Sequence, residues 1–134
     1  MGDDMTNDEL FALAVQAAQK SYSKYSGFHV GAALLTADGK VFTGCNIENA
    51  SYSLTVCAER TAVFKAVSEG CNQFRAIAVA GSSDDNFIKP CVPCGACLQV
   101  ISEFCGNDLK IILSDGEYSL SDFLPMRFDE KSME

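Results

Sequence analysis

A chain of 134 residues has the length of a single domain, 1–134, able to bury roughly two thirds of its unfolded surface. With 48% hydrophobic and 21% charged residues it has the balance of a globular protein, and its apolar runs fall well short of the ~18 residues that cross a bilayer, so no membrane partner is expected. The net charge of −8, with ten scattered basic residues, leaves no track for phosphates and argues against nucleic-acid polymers as partners.

The opening, MGDDMTNDEL, is polar and acidic and lacks the basic segment and apolar run of a secretion signal, so the cytoplasm is the expected compartment. Thr6-Asn7-Asp8-Glu9 reads as a capping box, ahead of small and apolar residues that suit a helix to about Tyr22. FHVGAALLT (28–36) and VFTGCNIE (41–48) are predicted strands, joined through the hairpin signal Asp38-Gly39. From Cys57 to Glu69, the residues Ala58, Ala62, Val63, Ala66 and Val67 follow a helical stripe that Gly70 ends. AIAVAG (76–81) reads as a buried strand, and residues 82–93 as irregular chain. Pro93 then precedes a short helix, about Cys94 to Cys105, with Val100, Ile101 and Phe104 turned inward. KIILS (110–114) is a second buried strand, and a short YSL strand follows Gly116. This order predicts an α/β fold with a mixed sheet.

Seven cysteines in a chain without a leader read as ligands, catalytic groups or small buried thiols rather than a disulfide framework. Three of them stand in CVPCGAC (91–97). A bacterial ferredoxin run would need a fourth cysteine and a proline further on, where Leu98 to Ile101 stand instead. A thioredoxin-type pair would follow an early strand, whereas Cys94 and Cys97 begin a late helix beside an extra cysteine.

The informative feature is the combination with Cys57-Ala58-Glu59-Arg60 at the start of the preceding helix. Cys94 and Cys97 are spaced to share a helix face, and Cys57 supplies a third thiolate. Three protein ligands leave one position of tetrahedral zinc open, the mark of a catalytic site. Cys57 and Glu59 lie ~200° apart around a helix, so they can serve one centre only if it sits off the helix N-terminus. Glu59 is then a proton carrier rather than a fourth ligand. Two helix N-termini favour the thiolates, and Arg60 can donate to sulfur and offset their charge. The competing, non-catalytic reading is a structural zinc site closed by Cys91 as fourth ligand.

C-x-E followed by P-C-x-x-C is a three-cysteine form of the zinc deaminase signature. With YSGFHVGAALLTADGKVFTGCNIENASY, CAERTAVFKAVSEG, PCGACLQVISEF and LPMRF in order, the chain resembles the small, homotetrameric cytidine deaminases over nearly its whole length. The resemblance implies a three-layer α-β-α domain with a mixed five-stranded sheet and one Zn²⁺ per subunit, held by Cys57, Cys94 and Cys97. It implies hydrolysis of cytidine or deoxycytidine to uridine or deoxyuridine and ammonia, a pyrimidine salvage reaction. Zinc-activated water would attack C4, with Glu59 as the proton shuttle.

By the same resemblance Asn46 and Glu48, at i and i+2 of a strand end, clamp the ribose 3′-hydroxyl, and Phe28 lines the pocket. The Ala58 N–H and the Pro93 carbonyl read the pyrimidine edge. Ala50, Tyr52 and Phe128 come from neighbouring subunits of a homo-oligomer, a tetramer with shared active sites, and Phe128 stacks on the base. The chain departs from the family where Leu98 replaces the usual arginine and in the polar segment GSSDDNFIKPCV (81–92). A modified cytosine nucleoside of the blasticidin type is the alternative substrate. His29, the sole histidine, and Cys45, Cys71, Cys91 and Cys105 are expected to be structural.

Overall fold

The computed structural model describes residues 5–134, and the acidic residues 1–4 of the predicted domain lie outside them. Thr6 caps the first helix, α1 (Asn7–Ala18), through the predicted capping box: Thr6 Oγ1 accepts from Glu9 N–H at 3.1 Å, and Thr6 N–H donates to Glu9 Oε1 at 2.9 Å. The helix stops short of Tyr22 because that residue enters an extended bridge. Its N–H donates to Asn46 O, and its carbonyl accepts from Glu48 N–H.

Five strands follow in the order β2-β1-β3-β4-β5: β1 (His29–Thr36), β2 (Val41–Cys45), β3 (Phe74–Ser82), β4 (Lys110–Leu113) and β5 (Gly116–Ser119). Gly39, at φ +88°, closes the β1–β2 turn as the Asp-Gly signal predicts. Only β3 and β4 pair in parallel, so the sheet is mixed as expected. The predicted strand 41–48 ends at Cys45, and residues 46–48 pair instead with Tyr22 and Val56.

Both faces of the sheet are buried, which is why its central strands read as continuous apolar runs. Ala33, Leu35, Ala76, Ala78, Ala80 and Ile112 face α1, against Leu10 and Ala14. The alternate residues Ala32, Leu34, Ile77, Val79, Ile111 and Leu113 face the other way. They pack on Ala62, Val63 and Ala66 of α2 (Ala58–Ser68) and on Leu98 and Ile101 of α3 (Gly95–Ser102). This is the three-layer α-β-α arrangement. A short α4 (Leu120–Phe123), which the sequence reading leaves out, brings Leu120 into the same layer. α3 ends before the predicted Cys105, because Arg127 Nη1 takes the Ser102 and Cys105 carbonyls at 2.9 and 2.8 Å.

The topology gathers the site. β2 and β3 both run antiparallel to β1, so both finish at the edge where β1 begins. α2 follows β2 and α3 follows β3. Both helix N-termini, the residue before β1 and the chain just after β2 therefore meet at one end of the sheet. Among the described residues no helix is long and apolar enough to cross a membrane.

Candidate metal centre and active site

Cys57 is the N-cap of α2 and Cys94 the N-cap of α3, and neither side chain makes a capping hydrogen bond. A cap position normally carries an oxygen that serves the first-turn N–H groups. Cysteine there leaves the sulfur free for another task. Cys97 is the third residue of α3, the position whose side chain meets the cap residue in a capping box. The predicted sharing of a face by Cys94 and Cys97 arises this way.

The sulfurs of Cys57, Cys94 and Cys97 all lie within 4.8 Å of one another, and they are the sole such cluster of metal-ligating side chains among the described residues. Tetrahedral zinc with Zn–S bonds of ~2.3 Å needs sulfurs ~3.8 Å apart, so small side-chain adjustments suffice to fit the ion. Cys97 is buried, Cys57 half-buried and Cys94 exposed, so the cluster opens toward solvent on the Cys94 side. Cys91 lies outside the group.

Charge is already organised here. Hydrogen bonding from Cys97 and then Arg60 outweighs burial and holds the Cys57 thiol down to about 5. Sharing a proton with Cys57 and burial raise the Cys97 thiol. Arg60 Nη2 donates to Cys57 Sγ at 3.6 Å, and these sulfurs raise the guanidinium in turn. The Arg60 Nε–H is buried with no acceptor, beside the sulfur of Cys57. Three soft thiolates next to a guanidinium suit a zinc ion.

Glu59, 3% exposed, leaves α2 on the side that faces α3, where its Oε2 accepts from Cys94 N–H at 3.2 Å. Burial, reinforced by the Cys57 charge, raises its carboxyl above the ordinary glutamate value against two backbone hydrogen bonds. A carboxyl that holds its proton more tightly, bonded to the N-cap residue of α3, is chemically suited to pass protons beside the thiol cluster.

Apart from Ala58 and Pro93 at the two helix starts, the remaining predicted residues divide into two groups. Phe28, Asn46 and Glu48 form one linked set at the same sheet end. Asn46 is buried, and its Oδ1 accepts from Val30 N–H at 2.9 Å and Ser21 Oγ at 2.5 Å, while Nδ2 donates to Phe28 O at 2.9 Å. It does not lie on a solvated strand edge. Glu48 Oε1 accepts from Tyr25 and Ser26 N–H, and Oε2 from the Ser26 hydroxyl, whose oxygen also accepts from Phe28 N–H. Ser26 thus ties Glu48 to Phe28. The sequence reading missed it, although Ser26-Gly27, with Gly27 at φ +70°, is a turn signal.

Ala58 is the first residue of α2, so its N–H is among those a helix leaves unpaired. Pro93, buried, precedes the α3 cap, so its carbonyl lies outside the helical ladder. The second group, Ala50, Tyr52 and Phe128, stands at the surface, with Tyr52 74% and Phe128 57% exposed. Tyr52 meets the Tyr25 ring edge-on at 5.9 Å.

A cleft of about 460 Å³ opens beside Phe28, lined by Ser83, Asp84, Lys89 and Cys91 among others. Burial, then the Glu59 and Cys57 charges, push the Cys91 thiol up to about 11. Gly81 makes this corner possible, since a Cβ there would come within 2.7 Å of Cys91 Sγ and 3.0 Å of Phe28 Cζ. His29 Nδ1 lies 2.9 Å from the Ser23 hydroxyl, away from the thiolates as the sequence suggests.

Residues 5–113 match the family described as the cytidine and deoxycytidylate deaminase zinc-binding region. Over 134 aligned residues the chain is 47% identical to the cytidine deaminase of Halalkalibacterium halodurans, covering 96% of this chain and 98% of that one. It is 43% identical to the cytidine deaminase of Sporosarcina psychrophila, with 96% of each covered. The crystal structure of cytidine deaminase from Mycobacterium tuberculosis superposes with a TM-score of 0.84 at 40% identity, covering 94% of this chain and 99% of that one.

Proposed function

The chain belongs to the cytidine and deoxycytidylate deaminase family, and we propose that it hydrolyses cytidine and deoxycytidine to uridine and deoxyuridine, releasing ammonia. In this reaction the C4–N bond breaks, and oxygen from water takes its place on C4. Cys57, Cys94 and Cys97 would hold a zinc ion, which would supply the Lewis acidity that makes water a nucleophile near neutral pH.

The protein's own groups do the rest. Glu59 takes a proton from the attacking water, delivers it to N3 of the pyrimidine, and carries another to the departing amine. Burial raises its carboxyl, which suits it to hold the proton between these transfers, and the Cys94 N–H fixes Oε2 at the ligand edge. Arg60 offsets the charge of three thiolates, which alone would make the ion a poor acid. Ala58 N–H and the Pro93 carbonyl read the base edge. Phe28 lines the pocket, and Asn46 with Glu48 binds the 3′-hydroxyl, the Asn46 amide already anchored by three internal hydrogen bonds.

Ala50, Tyr52 and Phe128 complete the pockets of neighbouring copies in a homotetramer, which accounts for aromatic rings exposed on a lone subunit. The enzyme works in the cytoplasm on free nucleosides. Its net charge of −8 supports this reading against a polymer or a membrane surface.

One observation carries the proposal. A buried glutamate is hydrogen-bonded to the same helix end that presents two of the three clustered thiols. The test is to follow the ultraviolet conversion of cytidine to uridine by zinc-loaded protein beside a Glu59→Ala variant. Conversion by the wild type that vanishes in the variant is expected. A zinc-loaded, assembled wild type that leaves cytidine unchanged overturns the proposal.

A further inference from the structure

The tail segment is tied to the far end of α3, the helix whose other end carries Cys94 and Cys97. Met126 is 91% exposed, so the chain swings out there before it returns. Arg127 draws it back. Its Nη1 donates to the Ser102 and Cys105 carbonyls, and its Nε lies 4.0 Å from Asp129 Oδ2. A helix leaves its last carbonyls unpaired and its C-terminus partly negative, so a guanidinium there is doubly favoured. One turn earlier, Gln99 Nε2 donates to Phe128 O at 2.8 Å.

Two side chains of different character thus hold the backbone on both sides of the Arg127–Phe128 peptide. The Phe128 ring stays largely exposed above this fixed backbone. Three hydrogen bonds thus fix the backbone that carries an exposed aromatic ring.

We propose that Arg127 and Gln99 are positioning residues for Phe128. They fix the direction in which its ring leaves the subunit, and so the wall it offers the pyrimidine in a neighbouring copy's site. This rests on the reading of Phe128 given above. Neither residue touches the substrate on this account; both act through Phe128.

The test is a double-mutant cycle in steady-state cytidine kinetics on zinc-loaded, assembled enzyme, with zinc content and oligomer size measured for every variant. Phe128→Ala is expected to raise KM on the order of ten-fold, the scale of a lost base–aromatic stack. Arg127→Ala should raise KM several-fold with kcat near that of the wild type. Arg127→Lys should recover only part, because an ammonium does not reproduce the planar fork. The double variant Arg127→Ala/Phe128→Ala should be no worse than Phe128→Ala, since nothing remains to be positioned.

Additive losses in the double variant would reduce Arg127 to general structural support and overturn the proposal. So would an unchanged KM in both Arg127→Ala and Gln99→Ala beside a raised KM in Phe128→Ala. If Phe128→Ala leaves KM unchanged, the stacking reading itself fails and this inference falls with it. Should Arg127→Ala fail to assemble, Gln99→Ala, which leaves the α3 cap intact, carries the same cycle.

Discussion

Glu59 is a buried carboxyl, and burying one is costly. Its carboxyl is raised by burial and by the Cys57 charge, so ionising it inside the protein is unfavourable. Replacement by a neutral isostere keeps the shape and removes that penalty. Glu59→Gln is therefore expected to lose at least ~10²-fold in kcat while binding zinc normally and melting no lower than the wild type, as calorimetry would show. Arg60 makes the complementary case. Its donation to Cys57 is an outer contact of a ligand sulfur, and Arg60→Gln should weaken zinc about 10- to 100-fold in a chelator competition. Cys91 lies outside the thiol cluster, so Cys91→Ala should keep one zinc per subunit; loss of the metal would favour a closed four-cysteine site. Leu98, where the resemblance led to an expectation of arginine, is 4% exposed among Val63 and Ile101, so the position packs the core in this chain. The clustering of Cys57, Cys94 and Cys97 with Glu59 beside them was legible because it is written in short spacing at two helix starts. The internal bonding of Asn46 was not, because Ser21, Val30 and Phe28 reach it from distant parts of the chain.

At the scale of elements, two glycines set how closely the helices approach the sheet. A Cβ on Gly31 of β1 would stand 1.9 Å from Ala14 O in α1, and one on Gly44 of β2 would stand 2.5 Å from Ala62 N in α2. The obstacles are backbone, so the whole helix must move. Gly44→Ala is expected to cost about 1–3 kcal/mol in urea unfolding. It should also weaken zinc, because α2 carries Cys57 as its cap. Gly31→Ala should destabilise at least as much while acting on α1, which holds no ligand; equal effects of the two on zinc would refute this division. Helix and strand identities followed from capping signals and apolar periodicity, which are local. Their ends did not. α1 stops where Tyr22 is drawn into pairing with Asn46 and Glu48, and α3 stops where Arg127 takes its carbonyls. Competition from distant hydrogen-bond partners sets such boundaries, and no window of sequence contains it.

For the whole molecule, metal and assembly are expected to contribute stability together. Stripping zinc leaves three clustered thiols to share their protons and should lower the melting temperature, with recovery on adding zinc back. Diluting the protein below its assembly constant should lower specific activity, since Ala50, Tyr52 and Phe128 lie at the surface of a lone subunit; a constant value down to monomers would refute shared sites. Taken by itself, the amino-acid sequence determined the α/β class, the three cysteines that cluster as a candidate zinc site and, through its ordered motifs, the family. Each of these is written in residue type and short spacing. The tertiary structure alone decided that β2 and β3 end at the same edge, which brings Cys57 to Cys94 and Cys97, 37 and 40 residues further along the chain. It also decided that Ser26 joins Glu48 to Phe28, and that Arg127 and Gln99 tie the tail around Phe128 to α3. The reason is physical: these contacts depend on strand direction and helix packing, which arise only when the two buried faces of the sheet are covered.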